Sequence, residues 1–257
     1  MRPLIGTSTK MNLTSSEAER YFRTLRPLVA DVTQCDLFVL PPFTSIWVAR
    51  RDLADSNIAW GAQDVHPEDP GAHTGDIAAT MLVDLGCTYV EVGHSERRRD
   101  HGESDSLIGA KVAQVLIHGM TPILCVGETD PAPIEAAIRT VVLQLDTAMA
   151  GIAAPDRGRV VVAYEPAWAI GVGARPADPD HVESVHAAIH RWFRSPVGGG
   201  RDVRVIYGGS VDPGAAGPLL ARAGVDGLFV GRAALDPTHF AAIARAGQGP
   251  VSRRRPA

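Results

Sequence analysis

The chain has 257 residues, a formal charge of −4 and a composition that is 45% hydrophobic and 21% charged. A chain of this length can bury a large core as one α/β domain. The charge gives no global basic field for nucleic acid. No apolar run is long enough to span a membrane, and the N-terminus lacks the basic and apolar regions of a secretory signal. We therefore expect one cytoplasmic domain over residues 1–248, with neither a nucleic-acid nor a membrane partner.

Three cysteines and a short basic tail point to no further chemistry. Cys35, Cys87 and Cys125 are widely spaced and odd in number, which fits reduced thiols better than a disulfide framework or a zinc site. Neither a metal-binding pattern nor a cofactor motif stands out, so we predict no metal and no cofactor. Residues 249–257 carry three arginines between prolines, and we expect a solvated, disordered tail rather than a binding element.

Short apolar or β-branched runs recur along the chain and alternate with segments of helical periodicity. Strands that are apolar on both faces and alternate with amphipathic helices indicate a parallel sheet covered by helices. Eight such units in this length predict a (β/α)8 TIM barrel, and a doubly wound open sheet is the alternative. The predicted strands are 3–6, 36–40, 57–61, 88–92, 122–126, 159–164, 203–207 and 227–230.

Two of the intervening segments also carry helix start signals. Thr14 and Glu17 have the spacing of a capping box before an apolar stripe that includes Phe22. Asp178 is placed to cap a second helix, and Pro179 suits its first turn.

Functional sites of such barrels lie where strands end and the following loops begin. The candidate functional residues therefore follow five of the predicted strands. They are Ser8 and Lys10 after the first, His94, Ser95 and Glu96 after the fourth, Glu165 and Pro166 after the sixth, Gly208–Ser210 after the seventh, and Gly231 and Arg232 after the eighth.

Three of these side chains suit proton transfer. Glu165 follows an apolar strand, so partial burial would raise its pKa and favour a general base. His94 precedes a short helix, whose N-terminus favours a neutral imidazole that can donate a hydrogen bond. Lys10 could stabilise negative charge that develops on an oxygen. Taken singly, each has a plainer interpretation: an ion-paired glutamate, a structural histidine or a surface lysine.

Glycine-rich loops at the same end of the barrel suit a phosphate group. Residues 169–175, 207–211 and 229–235 place flexible backbone N–H groups there, although any one of these loops alone could be only a tight turn. A base, a neutral donor, a cation and an anion cradle together describe proton transfer next to a carbonyl on a small phosphorylated sugar.

Nine short segments, in this order and spacing along the chain, form a recognisable pattern: KMN (10–12), PPF (41–43), GAQ (61–63), TGD (74–76), GHSERR (93–98), PILCVGET (122–129), AYEPAWAIGVG (163–173), YGGSV (207–211) and DGLFVG (226–231). Over nearly the whole chain, these segments resemble the triosephosphate isomerase family. The resemblance implies Glu165 as the base, His94 as the neutral electrophile and Lys10 as the electrostatic partner, roles that are well established for this family.

The resemblance also implies a lid, a phosphate cradle and a dimer. Residues 166–176 would close over the substrate with the Gly171 N–H on the phosphate, and closure would exclude water. Ser210, Gly231 and Arg232 would complete the cradle, and Glu96 would support the site. Thr74 resembles the residue that this family inserts into the site of a second subunit, which implies a homodimer.

The chain departs from the family pattern near the reacting end of the substrate. Ser8 and Thr9 stand where the family has asparagine and tryptophan, and Arg232 and Ala234 replace a glycine and a serine. Arginine adopts a positive φ only at a cost, so either the loop differs or the guanidinium helps to bind the anion.

Three interpretations of these departures are open. In the first, the substrate is a four-carbon ketose phosphate, because the serine two residues before Lys10 and the Gly231–Arg232 pair resemble the erythrulose phosphate isomerase branch. In the second, the chain interconverts dihydroxyacetone phosphate and glyceraldehyde 3-phosphate. In the third, it binds a sugar phosphate without turnover, which the intact Lys10, His94 and Glu165 argue against.

Overall fold

The computed structural model describes residues 1–171, 173 and 176–248. The predicted tail, 249–257, lies outside the described residues, as do residues 172, 174 and 175 of the predicted lid. In the described part of the chain, eight parallel strands close into a barrel in chain order, which confirms the predicted fold class. The strands are β1 Leu4–Ser8, β2 Asp36–Leu40, β3 Ile58–Ala62, β4 Tyr89–Val92, β5 Thr121–Val126, β6 Val161–Tyr164, β7 Arg204–Tyr207 and β8 Gly227–Val230.

Helices connect successive strands and form the outer layer. Within the described ranges, no helix combines the length and the apolar character that crossing a membrane requires. Short 3-10 helices lie at Phe43–Ser45, Ala167–Ala169 and Arg232–Leu235. The α-helices are α1 Ser15–Leu28, α2 Ile46–Leu53, α3 Ala79–Asp84, α4 Ser95–His101, α5 Asp105–Ile117, α6 Ile134–Ala148, α7 Ala154–Arg157, α8 Pro179–Arg194, α9 Pro213–Leu220 and α10 Pro237–Ala246.

The helix start signals act as predicted. The Thr14 N–H donates to Glu17 Oε2 at 2.8 Å, and the Glu17 N–H donates to Thr14 Oγ1 at 3.4 Å, so the capping box opens α1. Asp178 Oδ1 accepts the Asp180 N–H at 2.8 Å, and α8 begins at Pro179. These caps fix where each helix leaves the rim of the barrel.

The barrel interior is filled by side chains from alternate strand positions. Leu4, Phe38, Cys125 and Phe229 belong to this inner cluster, while a larger cluster fills the layer between strands and helices. A Cβ atom at Gly6 would lie 2.0 Å from the Phe38 ring, so only glycine fits there. Side chains of a strand alternate between faces, and this alternation decides which polar residues enter the interior.

The position of Ser8 differs from the prediction. We expected the first strand to end at Gly6 with Ser8 in the loop, whereas Ser8 is the last residue of β1 and pairs in register with Leu40. Ser8 lies four residues after Leu4 on the same strand, so its side chain points to the same, inner face of the barrel. The expected boundary was wrong because Thr7 and Ser8 are polar and therefore look like loop residues. In the structure, both belong to β1 and both are buried.

Candidate active site

One cavity of about 1000 Å³ opens at the carboxyl ends of the strands. This is the end of the barrel at which the sequence places the chemistry. All of the predicted site residues line it: Ser8, Lys10, His94, Glu96, Glu165, Gly171, Ser210, Gly231 and Arg232.

Lys10 is held in a constrained conformation directly after β1. Its φ is +53°, in the left-handed region that a residue with a Cβ rarely adopts. Gln63 Nε2 donates to the Lys10 carbonyl at 3.1 Å, and Lys10 Nζ contacts Glu96 Oε1 at 2.8 Å. Such backbone strain persists where surrounding contacts over-determine it, and it concentrates at functional sites.

His94 presents a neutral imidazole to the cavity. It caps α4, and its Nδ1 accepts the Glu96 N–H at 3.1 Å, so the ring proton belongs on Nε2. Burial and the nearby Lys10 charge lower the pKa of His94 to about 4. The Nε2 atom lies 3.4 Å from Glu165 Oε2. The imidazole can therefore donate a hydrogen bond at neutral pH.

Glu165 lies at the end of β6 with its carboxylate buried in the cavity. Burial raises the pKa of Glu165 well above its ordinary value, and the charge of Glu91 raises it further. In the described part of the chain, Glu165 Oε2 accepts no hydrogen bond. A Cβ atom at residue 208 would lie 2.6 Å from Glu165 Cγ, so Gly208 provides room for the carboxylate. A basic oxygen with a free lone pair can remove a proton.

Glu91 is a site residue that the sequence reasoning missed. It lies within β4, its side chain is 2% exposed, and it lines the same cavity. Ser8 Oγ donates to Glu91 Oε2 at 2.8 Å, and Cys125 Sγ lies 4.0 Å from Oε1. Burial raises the pKa of Glu91 to about 7, although the Ser8 hydrogen bond opposes this rise. The signal was a glutamate in the otherwise apolar run from Tyr89 to Val92.

The glycine loops place two predicted anion-binding side chains against the lid. Ser210 Oγ donates to the Ala169 carbonyl at 2.8 Å. Arg232 begins the 3-10 helix after Gly231, has no positive φ, and donates through its guanidinium to the Gly171 carbonyl. The loop therefore takes a backbone conformation that suits arginine. The Arg232 side chain reaches the backbone of the predicted lid at Gly171.

A buried carboxylate also holds the first residues of the predicted lid. Glu128 follows β5 and accepts a hydrogen bond from Trp168 Nε1 at 2.8 Å and another from Tyr164 Oη at 3.1 Å. The Ala167 N–H donates to the Glu128 carbonyl at 2.9 Å. Glu128 belongs to the PILCVGET segment (122–129), but the sequence pattern predicted no role for it.

The loop between β3 and α3 carries Thr74 on its exposed face. Trp47 and Met81, in the helices before β3 and after this loop, are 49% and 50% exposed, and Met11 beside Lys10 is 97% exposed. In a single chain, apolar side chains are therefore exposed to solvent. Met81 follows Thr74 in the chain, and Met11 follows Lys10 of the site. The homodimer stays a prediction.

Comparisons with known proteins agree with this geometry. A family model described as triosephosphate isomerase matches residues 3–247. A protein from Thermus thermophilus named triosephosphate isomerase is 42% identical over 251 residues, covering 95% of this chain and 98% of its own. One of the same name from Roseiflexus sp. is 43% identical and covers 94% and 96%. The crystal structure of triosephosphate isomerase from Bartonella henselae has a TM-score of 0.83 and 34% identity, covering 96% and 99%. The chain therefore belongs to the triosephosphate isomerase family and is an isomerase.

Proposed function

We propose that the chain isomerises a short-chain sugar phosphate through an enediol, with Glu165, His94 and Lys10 as its catalytic residues. The observation that carries this proposal is the 3.4 Å contact between the protonated Nε2 of His94 and the buried Oε2 of Glu165. A base and a neutral donor at this separation can act on adjacent atoms of one substrate.

The reaction follows from these two groups. Glu165 removes a proton from the carbon next to the carbonyl, while His94 Nε2–H donates to the carbonyl oxygen. The electron pair of the broken C–H bond forms the enediol double bond, and the Lys10 ammonium stabilises the charge on oxygen. Glu165 then returns its proton to the neighbouring carbon, the hydroxyl proton passes to the former carbonyl oxygen by way of His94, and a carbonyl forms where the hydroxyl was. The substrate neither gains nor loses atoms.

The phosphate would bind between the lid and the last two strands. The Gly171 and Gly231 backbone N–H groups suit an anion, and the Ser210 hydroxyl would join them by turning away from the Ala169 carbonyl. All three residues line the cavity. Phosphate binding would draw the lid over the site and exclude water from the enediol. We propose Arg232 as a further group of this cradle, which holds the lid through the Gly171 carbonyl.

Triose phosphates are the first candidate substrates. The relatives at 42% and 43% identity are named triosephosphate isomerase, and this supports interconversion of dihydroxyacetone phosphate and glyceraldehyde 3-phosphate better than any other reaction. The same names argue against the interpretation as a binding protein without turnover.

A four-carbon ketose phosphate is the second candidate, and positions 8 and 91 favour it. Ser8 is smaller than the asparagine of the family motif, and it forms a polar pair with Glu91 inside the barrel. A substrate with a hydroxymethyl group on the carbon that loses its proton would place a polar group in this region. The comparisons themselves do not point to the erythrulose phosphate branch.

The assembly and the cellular location are further proposals. We propose a homodimer in which the loop with Thr74 packs near the site of the second subunit, supported by the exposed Met11, Trp47 and Met81. A cytoplasmic location stays a prediction.

The deciding experiment is a kinetic comparison of substrates. We would measure kcat/KM of the purified chain with glyceraldehyde 3-phosphate and with erythrulose phosphate in one buffer, together with the Glu165→Gln variant. We expect turnover of at least one substrate, reduced at least about 100-fold by the substitution because the base is removed. Undiminished activity of Glu165→Gln would overturn the assignment of the base.

A further inference from the structure

Glu91 is a buried carboxyl that the proposed reaction does not use. Its side chain is 2% exposed at the inner face of β4, and no ion pair to it occurs within the described ranges. Buried carboxyls are costly unless they are paired or have a function, so its presence in an apolar strand requires a reason. Its hydrogen-bond donor is Ser8, which is itself a departure from the family motif.

The position of Glu91 is at the reacting end of the cavity. Side-chain nitrogen or oxygen atoms of Glu91, His94 and Glu165 all lie within 4.8 Å of one another. A substrate carbon that contacts the Glu165 carboxylate therefore lies close to Glu91 as well. The phosphate-binding loops belong to β7 and β8, so Glu91 cannot be explained by the anion.

The two oxygens of Glu91 differ in what they contact. Oε2 accepts the Ser8 hydroxyl at 2.8 Å, whereas the Cys125 thiol lies 4.0 Å from Oε1. A thiol at this distance is a weak partner. Oε1 is therefore able to accept a stronger hydrogen bond from a substrate hydroxyl while Ser8 holds the carboxyl in place.

We propose that Ser8 and Glu91 form a hydroxyl-binding pair that recognises a polar substituent on the carbon that loses its proton. This inference rests on the proposed function and specifies its substrate class. The pair extends the reaction to ketose phosphates that carry a hydroxymethyl arm at that carbon. Dihydroxyacetone phosphate has only hydrogen at the same place and gains nothing from the pair.

The chemistry of the pair accounts for a carboxyl and a hydroxyl that lie side by side inside the barrel. A hydroxymethyl arm beside an apolar side chain at position 91 would lose its hydrogen bonds to water without replacement, which disfavours binding. The carboxyl supplies the acceptor, and the serine satisfies its second oxygen while leaving space. A site that is built to hydrogen-bond a hydroxyl discriminates more strongly than an apolar pocket that merely admits it.

The test uses the ratio of two kcat/KM values, for erythrulose 1-phosphate and for dihydroxyacetone phosphate. The carbon that loses its proton carries a hydroxymethyl group in the first and a second hydrogen in the other. Removing the Glu91 carboxyl also alters the basicity of Glu165, but that change affects both substrates and largely cancels in the ratio. The variants are Glu91→Val, Glu91→Gln and Ser8→Ala. Thr7→Val is the matched control, because it removes a buried hydroxyl from the same strand on the opposite face.

We expect Glu91→Val to lower the ratio about 10- to 100-fold, the effect of losing one hydrogen bond to a charged group. Glu91→Gln keeps an acceptor oxygen and should lower the ratio less, while Ser8→Ala should lower it through a misplaced carboxyl. Thr7→Val should leave it unchanged. If Glu91→Val does not fold, Glu91→Gln and Ser8→Ala provide the same comparison.

Failure of the hydroxyl-binding pair and failure of the proposed function are distinguishable. A ratio that stays unchanged in all site variants, or triose turnover with none for erythrulose phosphate, would overturn the hydroxyl-binding pair and leave the proposed isomerase intact. Absence of turnover with both substrates in the unaltered chain would overturn the proposed function itself.

Discussion

Nδ1 of His94 accepts the backbone N–H of Glu96 at 3.1 Å, and this single contact fixes both the tautomer and the charge of the imidazole. A ring nitrogen that accepts a hydrogen bond cannot carry a proton. The proton must therefore reside on Nε2, which faces Glu165.

A first prediction concerns the titration of His94. Burial and the Lys10 charge lower its pKa to about 4, so the ring should stay neutral from pH 8 down to about pH 5. A nitrogen NMR titration of labelled protein would follow the ring directly. A His94 transition near pH 6.5 would contradict the assignment.

Much of this arrangement could be predicted from the sequence because barrel geometry maps strand ends to one rim. Lys10, His94 and Glu165 each follow an apolar run, so the topology alone brings them together. Glu91 could not be found in this way, because its position within a strand reveals an inward direction only when the strand boundaries are known. The contact of Arg232 with Gly171 joins two loops, and local patterns contain no information on such a pairing.

A second prediction concerns the pH dependence of the reaction. The base must be ionised, so kcat/KM should rise with pH through the pKa of Glu165, which burial and then the Glu91 charge hold above its ordinary value. Lys10 opposes this shift, and Glu96 adds to it. Glu91→Gln removes one negative neighbour and should move the acidic limb to lower pH. The measurement is the pH profile of kcat/KM with a substrate that both proteins turn over.

The matched control for that profile is Glu103→Gln. Glu103 is a buried carboxylate outside the cavity, paired with Lys111 at 2.6 Å. Its replacement should leave the acidic limb in place. An acidic limb that stays fixed in Glu91→Gln, or that moves to higher pH, would show that the Glu91 charge does not act on the base.

A third prediction concerns Arg232. Its guanidinium donates to the Gly171 carbonyl, so Arg232→Ala should weaken lid closure over the bound phosphate. We expect a rise in KM and a fall in kcat/KM of about 10-fold, the effect of losing one charge-assisted hydrogen bond. Arg194→Ala is the control, because Arg194 makes an exposed ion pair with Asp202 away from the cavity. Equal KM and kcat/KM values for the two variants would show that Arg232 has no role in phosphate binding.

The last prediction concerns the dimer. Thr74 is exposed on the loop after β3, and a bulky charged side chain there would be excluded from a packed interface. Thr74→Arg should therefore give a monomer by light scattering. We expect kcat to fall by roughly 100-fold, because the proposed dimer packs this loop near the site of the second subunit, where a small displacement of a catalytic group is costly. Thr24→Arg places the same charge on the exposed face of α1 and should stay dimeric and active. A monomeric unaltered chain with full activity would show that the site is complete within one subunit.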